Sequence, residues 1–496
     1  MLKKKQFLLV SAIAFSLLAS AVAPIFAVDY LRAGDFSKES WSKTVDYLEY
    51  VDFYATSHGL PRPPVGAHAY LYMAYVNYLG LQMLYAGLTN ITLALGQLTL
   101  TVPVQTFMMH YKTENGSDVV MASSYIMLLA YNESADTTCY GNSPDRNDTL
   151  YASFNMGFDL SSLIDTGDRP GLNSKTTIIP LTHSDDKLSW HWGMRYTNLT
   201  AILWRVYLDP DNATYKTTPV AITVYEELTF TYDLVFDAEG NMATITSNYV
   251  IGEMTDLWVV GSWFWFIPVI VHYNSTGCYY LNGDVYSDET IYEFLHEHNI
   301  SMSIVLFQAS AVLDSATKSS VGGEDVGSEM DVTNDTVSTF AEGGEKIFDA
   351  DFGTKNTYDL YNSTSGVTTT YDAYTRTVDK DGFANNPVFH IQTFLMKYIP
   401  LALAHMDEPL FDQAKSHLLN MTYADYFYVI SYPVYDGYRV VHDPTYVAYF
   451  EAVAESGNPL AKFFGLIVLV AIVSVVVVAA VLLLKRRSKS KSTNPT

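Results

Sequence analysis

The chain has 496 residues, of which 49% are hydrophobic and 14% aromatic, and it carries 29 Lys and Arg against 53 Asp and Glu. The aromatic content excludes a disordered chain, and the formal net charge of −24 argues against nucleic acid as a partner. All 53 acidic residues but only 20 of the Lys and Arg lie between Val28 and Gly457, which gives this part a charge of −33. Such a surface favours solubility, cations and basic partners.

The first 27 residues have the pattern of a secretory signal peptide. Lys3 to Lys5 form a charged start, Phe7 to Val22 is apolar, and Ala23 to Ala27 offers small residues at a cleavage point. Cleavage after Ala23 would leave a proline at the new N-terminus, so we expect Val28 to be the first mature residue. Residues 1–27 are therefore predicted to be removed, and residues 28–457 to lie outside the cell.

Period-two alternation dominates residues 28–314. Ile91 to Leu95 and Leu98 to Val104 alternate apolar with small or polar residues on either side of Gly96 and Gln97, which predicts a hairpin over 90–110. Asp237 to Asn241 has the composition of a second hairpin turn. We therefore predict a mainly β fold: a large antiparallel β-sandwich with a few short helices. The helix candidates are Ser37 to Tyr54, Asp288 to His298, Val388 to Met406 and Pro409 to Leu419.

Residues 315–344 differ in composition from the segments around them. They contain one aromatic residue, Phe340, among Gly, Ser, Thr and acidic residues, which is typical of a solvated loop or linker. We therefore predict a β-rich ectodomain over 28–314, this acidic linker, and a smaller membrane-proximal domain over 345–457.

Residues 463–484 are predicted to form a transmembrane helix. They read FFGLIVLVAIVSVVVVAAVLLL and contain no charge. At about 1.5 Å per residue the helix spans roughly 33 Å, which is enough to cross a hydrocarbon core. Five Lys and Arg follow within residues 485–491, so the positive-inside rule places the basic tail, 485–496, in the cytoplasm. The prediction is a type I, single-pass protein of the plasma membrane with an extracellular ectodomain.

Acceptor sites for N-glycosylation, Asn-x-Ser/Thr, occur at about three times the frequency expected by chance. If these asparagines are glycosylated, they should lie in exposed loops of a surface glycoprotein. Together with the compact basic tail, the excess favours an archaeal envelope. The predicted glycosylation sites are Asn90, Asn115, Asn132, Asn147, Asn198, Asn212, Asn274, Asn299, Asn334, Asn362 and Asn420.

Cys139 and Cys278 are the only cysteines. Disulfides persist outside the cell, and each cysteine lies in a polar stretch close to an acceptor site. We predict a Cys139–Cys278 disulfide that ties two loops together; two free thiols are the alternative.

Candidate metal ligands are few. His296 and His298 share a face only if the surrounding segment is extended, and they would then bind a metal with Glu293 or Glu297 nearby. Surface histidines without a metal are the alternative. His183, His191 and Met194 are the residue types that ligate a metal or b-type haem, although isolated residues of this kind in a β protein usually serve packing. Acidic turns offer oxygen ligands for a structural Ca²⁺: Asp209 with Asp211, Asp237 with Glu239, Asp349 with Asp351, and Asp379 with Asp381.

The sequence contains no nucleophile elbow, zinc-peptidase motif or phosphate loop, so no catalytic residue is predicted. Glu226 and Glu227 are adjacent, but strand neighbours point to opposite faces and cannot flank one glycosidic bond. The pairs Trp190 with Trp192 and Trp263 with Trp265 would stack on sugars if exposed and form core if buried. Their apolar strands favour the core.

The layout is similar to that of surface-layer-associated glycoproteins, and also to that of membrane-anchored b-type cytochrome ectodomains. We expect a binding, adhesive or envelope-structural role, with surface-layer or envelope proteins or glycans as partners. Two alternatives stay open: an extracytoplasmic metal- or haem-binding redox protein, and a carbohydrate-active protein.

Overall fold

The computed structural model describes most of the chain between residues 31 and 450. Apart from a few single residues, the described ranges are 31–32, 34–49, 66–93, 98–116, 118–132, 148–160, 169–209, 214–264, 267–298, 300–313, 328–332, 336–341, 346–351, 357–378 and 426–450. Contacts divide the chain into two compact units, Met1–Glu451 and Ala452–Thr496, and all described residues belong to the first.

The described part is mainly β, as predicted, and its strands are joined by antiparallel pairing into one network. The first half contains β1 Ser40–Asp46, β2 His68–Tyr78, β3 Leu81–Leu93, β4 Leu98–Thr101, β5 Gln105–Lys112, β6 Asp118–Asn132, β7 Asp148–Asn155, β8 Gly157–Asp159, β9 Lys175–His183, β10 Ser189–Asp209, β11 Thr214–Phe236 and β12 Met242–Ile251. The second half contains β13 Met254–Phe264, β14 Ile267–Asn274, β15 Gly277–Tyr280, β16 Val285–Ser287, helix α1 Ile291–Glu297, β17 Ile300–Leu313, β18 Ser328–Val332, β19 Thr336–Ala341, β20 Lys346–Asp351, β21 Thr357–Asn362, β22 Val367–Asp372, β23 Tyr374–Val378, β24 Tyr426–Tyr432, β25 Arg439–His442 and β26 Thr445–Tyr449.

The spine of the network runs in the order β1, β2, β3, β5, β6, β7, β10, β11 and β12. β11 is long enough to pair with β12 over one half and with β13 over the other, and the sheet continues from β13 to β14, β15 and β16. β12 also pairs with β25 and β26, so strands that follow residue 345 join the sheet of the N-terminal segment. The proposed division into two domains stays a prediction.

Sequence alternation explains the strands directly. In β12 every second residue of MATITSNYVI is buried, which matches the period of two for a strand with one covered face. The turn between β2 and β3 consists of Leu79 and Gly80, both at positive φ (51° and 102°), as a two-residue hairpin of right-handed twist requires. The two predicted hairpins are confirmed, because Ile91 pairs with Leu100 and Phe236 pairs with Ala243.

The core lies between β2, β3 and β5 on one side and β9, β10 and β11 on the other, which contact through side chains rather than backbone pairing. The ring of Phe107 in β5 lies 4.6 Å from that of Tyr232 in β11, and Tyr85 in β3 lies 6.0 Å from Trp192 in β10. The Tyr72 hydroxyl of β2 accepts a hydrogen bond from the Leu181 amide of β9 at 2.8 Å. Aromatic rings contribute large buried areas, and these rings hold the two layers together.

Helices are few among the described residues, as predicted, and one of them matches its expected place. α1 lies within 288–298 and begins with a capping box between Thr290 and Glu293. The helix predicted over Ser37 to Tyr54 is wrong in its first half, because β1 occupies Ser40–Asp46 and buries Trp41 and Val45 against β2. These apolar residues form a strand because they pair with β2, and the local sequence does not reveal that pairing.

Several predictions fall outside or at the edge of the described residues. The helices over 388–406 and 409–419, the signal peptide 1–27, the span 463–484 and the tail 485–496 lie outside them. Within the described part, no helix has the length and apolarity that crossing a membrane requires. β18 and β19 fall inside the predicted linker, 315–344, and pair with each other.

Candidate functional site

A row of partly exposed apolar and aromatic residues crosses five strands of the sheet. Ile222 of β11 lies opposite Trp258, Trp258 opposite His272, His272 opposite Tyr279, and Tyr279 opposite Val285 of β16. Directly opposite residues of antiparallel strands point to the same side of the sheet. The five side chains therefore form one continuous line.

Two further residues widen this line into a face. Val260 follows Trp258 by two positions on β13, and Leu281 lies at the tip of the β15–β16 hairpin. The exposed fractions are 45% for Ile222, 41% for Val260, 71% for Leu281 and 65% for Val285. We call these two residues and the row the apolar face: Ile222, Trp258, Val260, His272, Tyr279, Leu281 and Val285. Large contiguous patches of exposed apolar surface are typical of sites that bind another molecule.

His272 gives the apolar face a fixed polar group. Its ring stacks on Trp258 with centroids 4.7 Å apart and planes 10° apart, and its Nε2 lies 2.7 Å from Oδ1 of Asp256. Asp256 is 9% exposed, and its Oδ2 accepts a hydrogen bond from the Thr255 hydroxyl at 2.9 Å. When Nε2 donates to this carboxylate, Nδ1 is left as a hydrogen-bond acceptor for a ligand.

The hairpin that carries Leu281 and Val285 stands on a packed base. Cys278 is fully buried opposite Tyr273, whose ring lies 4.5 Å from Phe294 of α1. Beyond the base, Gly283 at φ +91° closes the turn by donating its N–H to the Tyr280 carbonyl at 2.8 Å. Packing at the base restricts the hairpin, and such preorganisation lowers the entropic cost of binding.

His296 and His298 lie at the end of α1 and its C-cap, so the extended form that would place both rings on one face is not adopted. Nδ1 of His296 lies 3.2 Å from Oδ1 of Asp436, and Nδ1 of His298 lies 2.8 Å from the Phe294 carbonyl. Thr290 and Glu293 favour the helix through their capping box, a local signal that outweighs the strand pattern. The metal assignment itself stays a prediction.

The other histidine candidates also have separate partners. His191 lies on the outer face of β10, where its Nδ1 is 2.7 Å from Oδ1 of Asp233. Met194, Trp190 and Trp192 are fully buried on the opposite side of the same strand, so the core interpretation of this Trp pair is confirmed. His183 is exposed, and its ring packs on Trp190 at 4.7 Å.

Two of the acidic residues considered as Ca²⁺ ligands, Asp237 and Asp349, accept hydrogen bonds from protein donors. Oδ1 of Asp237 accepts hydrogen bonds from the Asn241 and Met242 amides at 2.9 and 3.0 Å. Asp349 is buried and accepts hydrogen bonds from the hydroxyls of Ser338 and Tyr449. Among the residues with described side chains, no group of three or more His, Cys, Asp or Glu is arranged to hold a metal ion.

Cys278 is a free thiol within β15 and is fully buried, not part of a polar turn as the sequence suggested. Burial raises the pKa of its thiol, and hydrogen bonding with Tyr273 and Ser287 opposes that rise. Its predicted disulfide partner, Cys139, lies outside the described residues.

The acceptor asparagines fall into different settings. Asn115 is exposed between β5 and β6, and Asn274 and Asn362 are partly exposed at the ends of strands, where each Oδ1 accepts backbone N–H bonds from the following turn. Asn198 is partly exposed within β10 at φ +52°. Asn90 is 8% exposed within β3. Of Asn132 only the backbone, at the end of β6, is described, and Asn147, Asn212, Asn299, Asn334 and Asn420 lie outside the description.

The apolar face was not predicted from the sequence. Its strongest local signal is Asn282-Gly283 between Tyr280 and Val285, a hairpin turn flanked by apolar residues. Exposure depends on register across five strands, which the sequence does not give.

Comparisons with protein-family models, with curated proteins and with solved structures find no match to this chain.

Proposed function

We propose that this protein is a single-pass, type I cell-surface glycoprotein with a binding, adhesive or envelope-structural role. In this proposal the ectodomain, 28–457, is a β-sandwich outside the plasma membrane, residues 463–484 anchor it, and residues 485–496 form the cytoplasmic tail. The signal-peptide pattern, the basic residues after the span and the excess of acceptor sites support this topology.

The apolar face is the observation that carries the binding role. An exposed leucine and valine at a hairpin tip cost free energy in water, at about 25 cal/mol per Å² of apolar surface. A partner that covers the tip recovers this free energy, and the packed base of the hairpin limits the ordering cost. We therefore expect an envelope protein, or a second copy of this chain, to bind at the apolar face.

Carbohydrate binding is the second candidate, and it has its own observation. Trp258 and Tyr279 are partly exposed on the apolar face, on either side of His272 along the row. Aromatic side chains stack on the apolar faces of sugar rings, and the imidazole supplies a hydrogen-bonding group beside them. In this version the partner at the apolar face is an envelope glycan.

Site-specific photo-crosslinking in intact cells tests the proposal. A photoreactive phenylalanine analogue replaces Leu281 in one strain and Val367 in a control strain, since Val367 is also 54% exposed but lies outside the apolar face. We expect crosslinked products from position 281 and far fewer from position 367. Mass spectrometry then distinguishes an envelope protein, a second copy and a glycan. Equal yields at both positions, or no product at either, would contradict the proposal.

The haem alternative has a separate test. An absorbance spectrum of the detergent-purified protein with a Soret band would favour the redox protein over the binding protein.

A further inference from the structure

A buried glutamate joins two arginines on a different part of the sheet. Oε2 of Glu227 in β11 lies 2.6 Å from Nη2 of Arg195 in β10, and its Oε1 lies 3.2 Å from Nη2 of Arg439 in β25. The glutamate side chain is 6% exposed, whereas the arginine side chains are 50% and 43% exposed. The carboxylate thus lies beneath two guanidinium groups that face solvent.

The position of Glu227 is fixed by the backbone around it. Gly252 lies opposite Glu227, between the end of β12 and the start of β13, and donates its N–H to the Glu227 carbonyl at 2.8 Å. A Cβ at position 252 would lie 2.7 Å from the Glu227 nitrogen and 2.8 Å from its Cγ. The close approach of this backbone therefore requires glycine and holds the glutamate in place.

The two guanidinium groups and the Glu227 carboxylate together carry a net charge of +1. Residues 28–457, in contrast, contain 20 Lys and Arg against 53 Asp and Glu. Each guanidinium has five N–H donors, and one carboxylate engages only part of this set. Donors in the planar geometry of arginine match the oxygens of carboxylate, sulfate and phosphate.

An aromatic residue lies beside the arginines. Tyr361 of β21 is directly opposite Arg439, so the two side chains emerge on the same side, and Tyr361 is 38% exposed. Asp359, the nearby acidic residue of β21, accepts a hydrogen bond from the Thr370 hydroxyl at 2.6 Å. A cationic pair next to an exposed tyrosine combines the two contacts that an acidic sugar ring needs: donors for its anionic group and an aromatic surface for its apolar face.

We propose that Arg195, Arg439 and Tyr361 form a binding site for an anionic saccharide, and that the Glu227 carboxylate occupies part of the arginine donors until the ligand competes for them. Carboxylated and sulfated sugars share this chemistry. The site is independent of the apolar face and of the partner proposed there.

A purely structural ion-pair network makes a different prediction for Glu227. If the arginines serve only to neutralise the buried glutamate, then no anion binds them in the wild-type protein, where Glu227 is present. If they bind a ligand, then Glu227 competes with it for the guanidinium donors. Glu227→Gln keeps the shape of the side chain but removes that competition, so it should strengthen binding while it weakens the fold.

Isothermal calorimetry on the full-length protein in detergent, at physiological ionic strength, tests the site. The probes are a tetragalacturonate, a sulfated tetrasaccharide, neutral maltotetraose and inorganic phosphate. We expect at least one of the two acidic tetrasaccharides to bind. Comparing the carboxylated probe with the sulfated probe shows which anionic group the site prefers. Maltotetraose should not bind, and phosphate should bind more weakly than the acidic sugar.

Variants give the decisive comparison. Arg195→Lys with Arg439→Lys keeps the charge but loses the planar donors, and should weaken binding by about tenfold. Tyr361→Ala should weaken the saccharide by about fivefold and leave phosphate unchanged. Glu227→Gln should bind the saccharide a few fold more tightly. Val235→Ser, a change at an exposed residue of β11 outside both proposed sites, should bind as the wild type. The triple variant Arg195→Gln, Glu227→Gln, Arg439→Gln removes every charge of the site, which avoids an unpaired buried carboxylate, and should not bind.

Failure of both acidic sugars to bind would overturn the proposal, as would unchanged binding by the triple variant or weaker binding by Glu227→Gln. Binding of phosphate as tightly as the sugar would overturn the saccharide assignment.

Discussion

Gln105 tests whether polar groups in the aromatic core specify the packing of the two layers. Its side chain is fully buried at the start of β5. Oε1 accepts a hydrogen bond from the Tyr232 hydroxyl at 2.6 Å and another from the Tyr85 hydroxyl at 3.0 Å. Tyr85 and Tyr232 belong to opposite layers, so one amide oxygen links β3 to β11 through the core.

Gln105→Leu replaces the amide by an apolar group of similar size and removes the acceptor of both hydroxyls. A buried hydroxyl that loses its partner costs about 1 to 3 kcal/mol. Two hydroxyls would cost about 2 to 6 kcal/mol, and the easier burial of leucine offsets part of this. We therefore expect the free energy of unfolding to fall by about 3 kcal/mol.

Removing the donors as well should reverse most of the loss. Replacing both partners of a buried hydrogen bond by apolar groups of the same shape is nearly neutral. The triple variant Tyr85→Phe, Gln105→Leu, Tyr232→Phe should therefore be more stable than Gln105→Leu alone. Urea unfolding of the detergent-purified chain, followed by tryptophan fluorescence, gives the three free energies. A triple variant that is less stable than Gln105→Leu would refute the role of these hydrogen bonds.

Three further predictions concern pH, thiol chemistry and glycosylation. Burial of Asp35 raises its pKa, but hydrogen bonds from Lys38 and Lys43 outweigh this and hold the pKa below its ordinary value. A lowered carboxyl pKa stabilises the fold above about pH 4 and loses its effect as the pH falls through the folded pKa. Asp35→Asn should therefore lower the free energy of unfolding by about 3 kcal/mol at pH 7, and by progressively less as the pH falls below 4. Urea unfolding at several pH values measures this, and a loss that does not change with pH would contradict the prediction. Cys278 should resist iodoacetamide in the native protein and react fully in denaturant without reductant, because the thiol is free, buried and of raised pKa. A failure to react in denaturant would instead support the predicted disulfide to Cys139. Glycopeptide mass spectrometry should find glycan at the exposed Asn115 but not at the buried Asn90, and full occupancy of Asn90 would show that β3 is exposed.

The fold class was predictable because alternation is a local signal. β12 and the hairpin between β3 and β4 follow the period of two that their residues dictate. α1 was predictable for a similar reason, since its capping box lies within the segment itself. β1 was missed because Trp41 and Val45 suit either a helix or a strand, and pairing with β2 decides between them.

The sites were much less predictable than the fold. The burial of Trp190 and Trp192 followed from their strands, and the opposite environments of Glu226 and Glu227 followed from alternation. The apolar face depends on register carried across five strands, and the arginine pair depends on the pairing of β25 with β12, which are distant in sequence. No local pattern marks such positions, because register is set by the packing of the whole sheet.

Covalent footprinting of the apolar face, in intact cells and in the purified protein, tests the central claim most directly. A membrane-impermeant carbene reagent labels exposed side chains, and mass spectrometry compares the peptide that contains Leu281 and Val285 with a reference peptide that contains Val367. For a cell-surface protein that binds a partner through the apolar face, both peptides should be labelled after purification, and in cells only the reference peptide should remain labelled. Equal labelling of the two peptides in cells would contradict binding at the apolar face, and absence of label from both would contradict the extracellular position of the ectodomain.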